Sequence, residues 1–373
     1  MGNRPALGGV LRLIDRFIVN DQNVAEVCQR NLVKAVTAIN GDIIILPSLD
    51  VTEVGYVLGG TASADTIEVD DAADGVIVFG KGGGDTINVK VATDGLLIGG
   101  ITPSDNFDRE NDGIPDSGIN KFDYSTLFSG TKGLAVTLNG NTDFFAGGDG
   151  LVKEDVSTPT LNNVLFDVGS FTGSAGDDRF LINGGGYSVI KGGAGNDGFN
   201  IRGAAKIQSL DAGAGSDTIN LLSPSFSSFS YNFTNAETIN GSTGDDTITI
   251  TGSQAATISG GLGADRLTGG TESDIFAFSS ILDSVSGNGD IISNFEARND
   301  EEDISLVGLL TGTFAFLTSD RETFSAGGNT EARFTNSSEL LEIDADGNGT
   351  ADLEMTLLGV NLTDLNAADF TVT

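Results

Sequence analysis

Histidine and tryptophan are absent from the 373 residues, and cysteine occurs once, at Cys28. Without histidine the chain has no His-Glu-x-x-His zinc site, no Ser-His-Asp triad and no Cys-His pair. A carboxylate glycosidase, or a lyase built on Lys, Tyr or Arg, needs no histidine and stays open. A single cysteine excludes an intramolecular disulfide, and Cys28 reads as a small buried apolar residue. Positive charge is scarce: 19 Lys plus Arg stand against 53 Asp plus Glu, a net charge of −34. That balance argues against nucleic acid and anionic membrane as partners. No stretch is long and apolar enough to span a membrane. The opening apolar run is broken by Arg12, Asp15 and Arg16, so it is a poor match for a secretory signal peptide. Acidic chains are often disordered, but 39% apolar residues argue against that here.

Glycine is abundant, at 53 residues, and much of it falls in one repeated phrase. Between Gly173 and Phe278 the chain reads GSAGDDRF, GGAGNDGF, AGAGSDTI, GSTGDDTI, GGLGADRL and GGTESDIF. The common form is G-G-x-G-x-D followed, one residue on, by an apolar side chain. It is close to the calcium-binding β-helix nonapeptide. The repeat carboxylates are Asp178, Asp197, Asp217, Asp246, Asp265 and Asp274, whose positions rise mostly in steps of 19 or 20, once of 29 and once of 9. A coil of two strands and two turns takes about 18 residues. A step of 19 or 20 therefore brings the chain back to the same side one rung further on. The Asp turns are expected to stack along one edge, and the step of 9 puts Asp274 on the edge opposite Asp265. Glycines at 193, 195, 213, 215, 244, 261 and 263 permit positive φ and close approach of neighbouring turns. Gly193, Gly195, Gly213, Gly215, Gly244, Gly261 and Gly263 can aim bare carbonyls inward beside the Asp oxygens, a hard-oxygen set that suits Ca²⁺. After each Asp the apolar residues alternate, as in Phe199 and Ile201 or Ile219 and Leu221, which predicts short strands with one buried face. Gly-Asp turns of an ordinary antiparallel sheet would explain a single copy equally well. Six copies in register argue against it.

The rest of the chain divides around this stretch. Residues 1–40 hold five basic and three acidic residues. Val10, Leu13, Ile14 and Phe17, then Val24, Val27, Val36 and Ile39, sit at helical spacing, so one or two amphipathic helices are expected, capping the first rung of a solenoid, with an assembly or anchoring helix as the alternative. Residues 41–105 start the coils, with Asp65, Asp85 and Asp105 spaced by 20. Asp85 keeps the inner glycine of its turn; the Asp65 and Asp105 turns lack it. Residues 106–172 interrupt the ladder and open with an EF-hand-like loop: Asp108, Glu110, Asp112, Ile114 (through its carbonyl) and Asp116 at ligand positions, with Gly113 at the turn and no Glu at the twelfth position. A solvated acidic loop is the plainer alternative there. The remainder of 106–172 alternates as strands that pad out further coils. The step of 29 is read as an enlarged coil over 222–240 without a Gly-Asp turn. Residues 173–276 form the main roll. Residues 277–373 are a C-terminal β domain with a second loop of the same kind, ligated by Asp344, Asp346, Asn348, Thr350 (carbonyl) and Asp352.

These repeats resemble those of RTX, or haemolysin-type calcium-binding repeat, proteins. The segment from GADRLTGGTESDIFAF through GDIISNF and LEIDADGNGTADLEMTLLG to LNAADFTVT resembles the C-terminal domain of serralysin-type metalloproteases. The resemblance runs from about Gly173 to the end of the sequence and, more weakly, covers 60–105. It implies a parallel β-roll that binds Ca²⁺ and a C-terminal signal read by type I secretion machinery. Asp369-Phe370-Thr371-Val372-Thr373 is similar to that signal, apart from its extra final Thr. The zinc-protease half that accompanies the domain in that family has no counterpart in this histidine-free sequence.

The expected fold is all-β, a parallel β-roll or β-helix solenoid with calcium-binding Gly-Asp turns and a short N-terminal helical cap. The expected function is that of a secreted, extracellular or cell-surface calcium protein with a structural or adhesive role, such as a surface-layer, matrix or filament subunit, with no catalytic residues. Expected partners are calcium ions, the type I export machinery and further copies of the chain. The competing readings are a calcium-dependent extracellular enzyme acting on polysaccharide, carried in 106–172, and a detached domain that serves only secretion and folding.

Overall fold

The computed structural model describes residues 11–12, 36–38, 42–45, 56–60, 63–70, 76–80, 83–92, 94–99, 119–140, 148–155, 162–202, 205–222, 230–297, 302–319 and 322–373. From Tyr56 onward the chain alternates between two sheets, each of 14 strands among the described residues. One sheet contains Arg179–Ile182, Gly198–Arg202, Thr218–Leu222, Thr238–Asn240, Thr257–Ser259, Ile275–Ala277, Asp303–Ser305 and Phe370–Thr371 as consecutive parallel neighbours. We call it the first sheet. The second sheet contains Gly186–Ala194, Lys206–Ala214, Ser230–Thr234, Thr247–Thr251, Arg266–Thr268 and Asp290–Ser293 in the same parallel order. Within these two parallel runs, from Arg179–Ile182 to Asp303–Ser305, successive strands of the chain fall alternately in one sheet and the other. This is the two-sided parallel roll that the repeat spacing predicts.

Register turns the alternating pattern into a core. In the first sheet Phe180, Phe199, Ile219, Ile239, Ile258, Phe276, Ile304 and Phe370 stand directly above one another. In the second, Ile67, Ile87, Phe122, Phe171, Ile190, Leu210, Phe233 and Ile250 do the same. All of these are buried. The rings of Phe180 and Phe199 stack at 4.5 Å. Each such side chain contributes about 1.5–3 kcal/mol through burial, and only neighbouring rungs supply that burial. A single coil has no stability of its own. Outward positions carry polar ladders instead: Asn240 donates to Asn220, and Asn220 to Asn200.

Two insertions depart from the roll. Leu134–Gly140, Gly148–Glu154 and Asn162–Val168 were expected as further coils; they form an antiparallel meander inside the first sheet. Its outer strands rejoin the roll in parallel, Leu134–Gly140 beside Arg179–Ile182 and Asn162–Val168 beside Asp94–Ile98. Near the C-terminus, Thr330–Thr335, Leu340–Asp344 and Leu353–Leu357 form a second meander, joined to the roll through Leu353–Leu357 beside Asp290–Ser293. Both sheets run continuously across residues 105/106, 172/173 and 276/277.

Two expectations need correction. Within 1–40 the described residues are strands, not helix. Leu11–Arg12 and Val36–Ala38 both pair antiparallel with Asp42–Ile45. The Asp42-Ile43-Ile44-Ile45 strand offers a partner, and β-branched residues such as Val36 and Thr37 favour extended backbone over helix. The other residues of the expected cap, Cys28 among them, lie outside the described residues. The stretch 222–240 is also not an enlarged coil. Its described part supplies one ordinary strand to each sheet, Ser230–Thr234 and Thr238–Asn240.

Candidate metal centre

The turns that lead into the first sheet carry one line of acids. The Asp178 N–H donates to Asp197 Oδ1 at 2.8 Å, that of Asp197 to Asp217 Oδ1 at 2.7 Å, and that of Asp217 to Glu237 Oε2 at 2.6 Å. The turns into the second sheet carry another: Asp246 N–H to Asp265 Oδ1 at 2.7 Å, and Asp265 N–H to Asp290 Oδ1 at 2.9 Å. Further up the same edge, the Asp65 N–H donates to Asp85 and the Asp85 N–H to Asn120. An outer line runs the opposite way at the turn tips. Asn196 N–H donates to Asp177, Ser216 N–H to Asn196, and Ala264 N–H to Asp245.

The step of 29 thus moves the ladder from one edge to the other. Asp217 has Asp197 and Glu237 as rung neighbours, not Asp246. Asp274 returns to the first edge beyond Ala256, whose N–H it accepts at 2.8 Å, and so lies opposite Asp265 as the step of 9 predicts. Sequence reading missed two ladder members, Glu237 and Asp290. The signals were present: Glu237 follows Asp217 by the same step as Asp217 follows Asp197 and precedes the same Thr-Ile pair, and Asp290 ends Gly-Asn-Gly-Asp before Ile-Ile.

Turn chemistry decides how each carboxylate is satisfied. In the two turns with serine second, the serine N–H reaches back to the Asp: Ser174 to Asp178 Oδ2 at 2.6 Å and Ser242 to Asp246 Oδ2 at 2.7 Å. Gly270 N–H serves Asp274 in the same way. Elsewhere one oxygen is orphaned. Asp197 Oδ2, Asp217 Oδ2, Asp265 Oδ2 and Asp290 Oδ2 are buried without a hydrogen-bond partner, as is Glu237 Oε1. Burial pushes the Asp197 carboxyl up to about 8, reinforced by Asp178 and Asp217 nearby and opposed by the Asp178 N–H. Burial raises Asp290 to about 8, Asp265 to about 7, and Asp178 and Asp217 to about 6. Desolvated carboxylates stacked at successive rungs are expensive to ionise unless a cation joins them.

The glycines let neighbouring turns approach backbone to backbone. Gly193 and Gly213 hold φ of 122° and 118°. A Cβ on Gly193 would stand 2.0 Å from the Ser174 carbonyl oxygen, and one on Gly213 would stand 2.2 Å from that of Gly193. Gly195, Gly215, Gly261 and Gly263 also lie at positive φ, whereas Gly244 does not; its N–H donates to Ser242 Oγ. Orphaned hard oxygens beside closely spaced backbone carbonyls fit a divalent cation such as Ca²⁺.

The second loop is a separate cluster. It joins Leu340–Asp344 to Leu353–Leu357 and brings carboxylate oxygens of Asp344, Asp346 and Asp352 within 4.8 Å of one another. Asp344, fully buried, accepts the N–H groups of Gly347, Asn348 and Gly349. Asp352 accepts those of Ala345 and Asp346. Asn348 takes the Thr350 N–H and faces the Thr350 hydroxyl. The expected first loop, with Asp108, Glu110, Asp112, Ile114 and Asp116, lies outside the described residues, as does Asp105.

A parallel roll with acid ladders down its edges defines a class, the repeat-built β-roll. The family model described as Peptidase M10 serralysin C terminal matches residues 187–372, and over that span the chain is similar to this domain. C-terminal domains of this type are calcium-binding rolls of secreted proteins. The match lies wholly outside the family's catalytic domain. Among curated proteins none matches this chain.

Proposed function

We propose that this protein is a secreted calcium-binding roll with a structural or adhesive role, which folds where calcium is plentiful and associates with further copies of itself. The observation that carries the calcium part is the ladder of buried carboxylates, one oxygen of each orphaned at Asp197, Asp217, Asp265 and Asp290. At neutral pH these groups and a net charge of −34 oppose folding. A cation held between rungs cancels charge and ties neighbouring coils, and a ligand of the folded state alone stabilises it by mass action. Extracellular modules bind calcium with Kd of about 10⁻⁴–10⁻³ M, which suits folding outside the cell. The family supports an extracellular location, and among the described residues no helix is long and apolar enough to cross a membrane. The resemblance of the C-terminal segment to a type I export signal supports that route. Support for a passive role is that the acids described above lie in turns and ladders.

Circular dichroism and light scattering of the purified protein, in chelator and then in millimolar calcium, test both parts. The β signal and melting temperature are expected to rise on adding calcium, with growth of particle mass and ordered fibres or sheets under electron microscopy. An unchanged β signal and melting temperature would remove the calcium reading. A particle that stays monomeric with calcium at high concentration would remove the structural-subunit reading.

A further inference from the structure

We propose that Glu237 is a cation ligand, completing with Asp217 a site at a turn that has no glycine and no Gly-Asp motif; this rests on the calcium reading of the ladder. The turn is built differently from those above it. Asp211 pairs with Thr234, and Thr218 with Thr238. Between those partners the upper rung spends six residues, 212–217, and the lower rung only three, 235–237. Asn235 makes the short turn at φ 53°, a left-handed conformation that Asn tolerates, and its Nδ2 anchors it to Asp211 Oδ1 at 2.8 Å.

Despite the shorter turn, the acid arrives at the ladder position. Glu237 Oε2 accepts the Asp217 N–H at 2.6 Å, as Asp217 accepts that of Asp197 and Asp197 that of Asp178. The Thr238 N–H returns to the Asp217 carbonyl at 3.0 Å, matching Thr218 to Asp197 and Gly198 to Asp178. The extra methylene of Glu supplies reach. The other oxygens point to a ligand: Asp217 is fully buried with Oδ2 unpartnered, and Glu237 Oε1 is buried and unpartnered as well. Two orphaned carboxylate oxygens on adjacent rungs repel each other unless a cation lies between them. The short turn offers three fewer backbone carbonyls than its neighbour, so water completes the shell of an ion that takes six to eight oxygens. This makes it the weakest calcium site on the first edge.

Glu237→Gln separates a ligand from a plain acceptor, because the amide oxygen still accepts the Asp217 N–H. Bound calcium per chain is counted by equilibrium dialysis on the full chain, with circular dichroism as the check on folding. The expected result is an unchanged β signal and one calcium fewer, the most weakly held one. An unchanged count would mean that Glu237 only accepts a hydrogen bond, and the inference would fall while the calcium reading stood. No calcium on the unmodified protein would overturn both. Should the variant not fold, ¹³C-carboxyl NMR of the unmodified, glutamate-labelled protein decides: over the last calcium equivalent to bind, after the β signal has reached its plateau, the Glu237 signal moves if it is a ligand and stays fixed if it is not.

Discussion

The raised carboxyls predict that calcium and protons compete for the same oxygens. Asp197 and Asp290 near 8, Asp265 near 7, and Asp178 and Asp217 near 6 all lie above the ordinary value of 3.8. The folded ion-free roll therefore binds more protons than the unfolded chain between about pH 4 and pH 8. Its stability is full at the acid end of that window and is lost as pH rises through 6 to 8. Easing of charge repulsion on acidification acts in the same direction. At pH 6 the Asp197, Asp290 and Asp265 carboxyls are almost wholly protonated and those of Asp178 and Asp217 about half, so the folded ion-free roll holds about four protons on these groups. Calcium requires them ionised, so loading at pH 6 releases about four protons, and calcium affinity weakens on acidification. The assay is titration calorimetry of folded, chelator-treated protein in two buffers of different ionisation enthalpy, with circular dichroism followed from pH 8 down to pH 5 without calcium. The β signal is expected to strengthen as pH falls. Release of less than one proton, or a β signal that decays between pH 7 and pH 5, would refute the reasoning.

Two further outcomes follow from the same turns. Gly213→Ala places a Cβ at φ 118° and 2.2 Å from the Gly193 carbonyl oxygen, so it should cost about 3 kcal/mol or more; Gly198→Ala, with nothing within 4 Å, should change stability by less than about 1 kcal/mol. Equal urea midpoints in calcium would contradict this. Asp217→Ala removes the acceptor of the Asp197 N–H and an orphaned oxygen, and should raise the calcium midpoint of folding about tenfold or more. Asp65→Ala, at a half-buried turn, should move it far less, and similar shifts would sink the ranking of turns.

Much was legible because a solenoid writes its geometry as a period. The regular spacing of the Asp turns carried the handover of each strand to the next rung, and the alternation after each Asp named the buried columns, Phe199 under Phe180 and Ile219 under Phe199. These follow from local pattern alone, since every coil contacts only its neighbours. Identity of the turn residues was legible for the same reason: only glycine admits the close approach at Gly193 and Gly213. Tertiary structure decided what depends on register between rungs of unequal length. A three-residue turn with a longer acid stands in for a six-residue turn at Glu237, and the ladder changes edge after it. Nothing local marks the meander at 134–168 as antiparallel, because alternation is the same in either direction; hydrogen-bond partners choose it. The Asp369-Phe370-Thr371 segment reads in sequence as part of an export signal. In the fold Asp369 is buried before the last strand of the first sheet, and Phe370 sits over Ile304 and against Phe314 and Phe316. That role comes from a partner strand, Asp303–Ser305, with the whole second meander between the two in sequence, a separation over which periodicity carries no information.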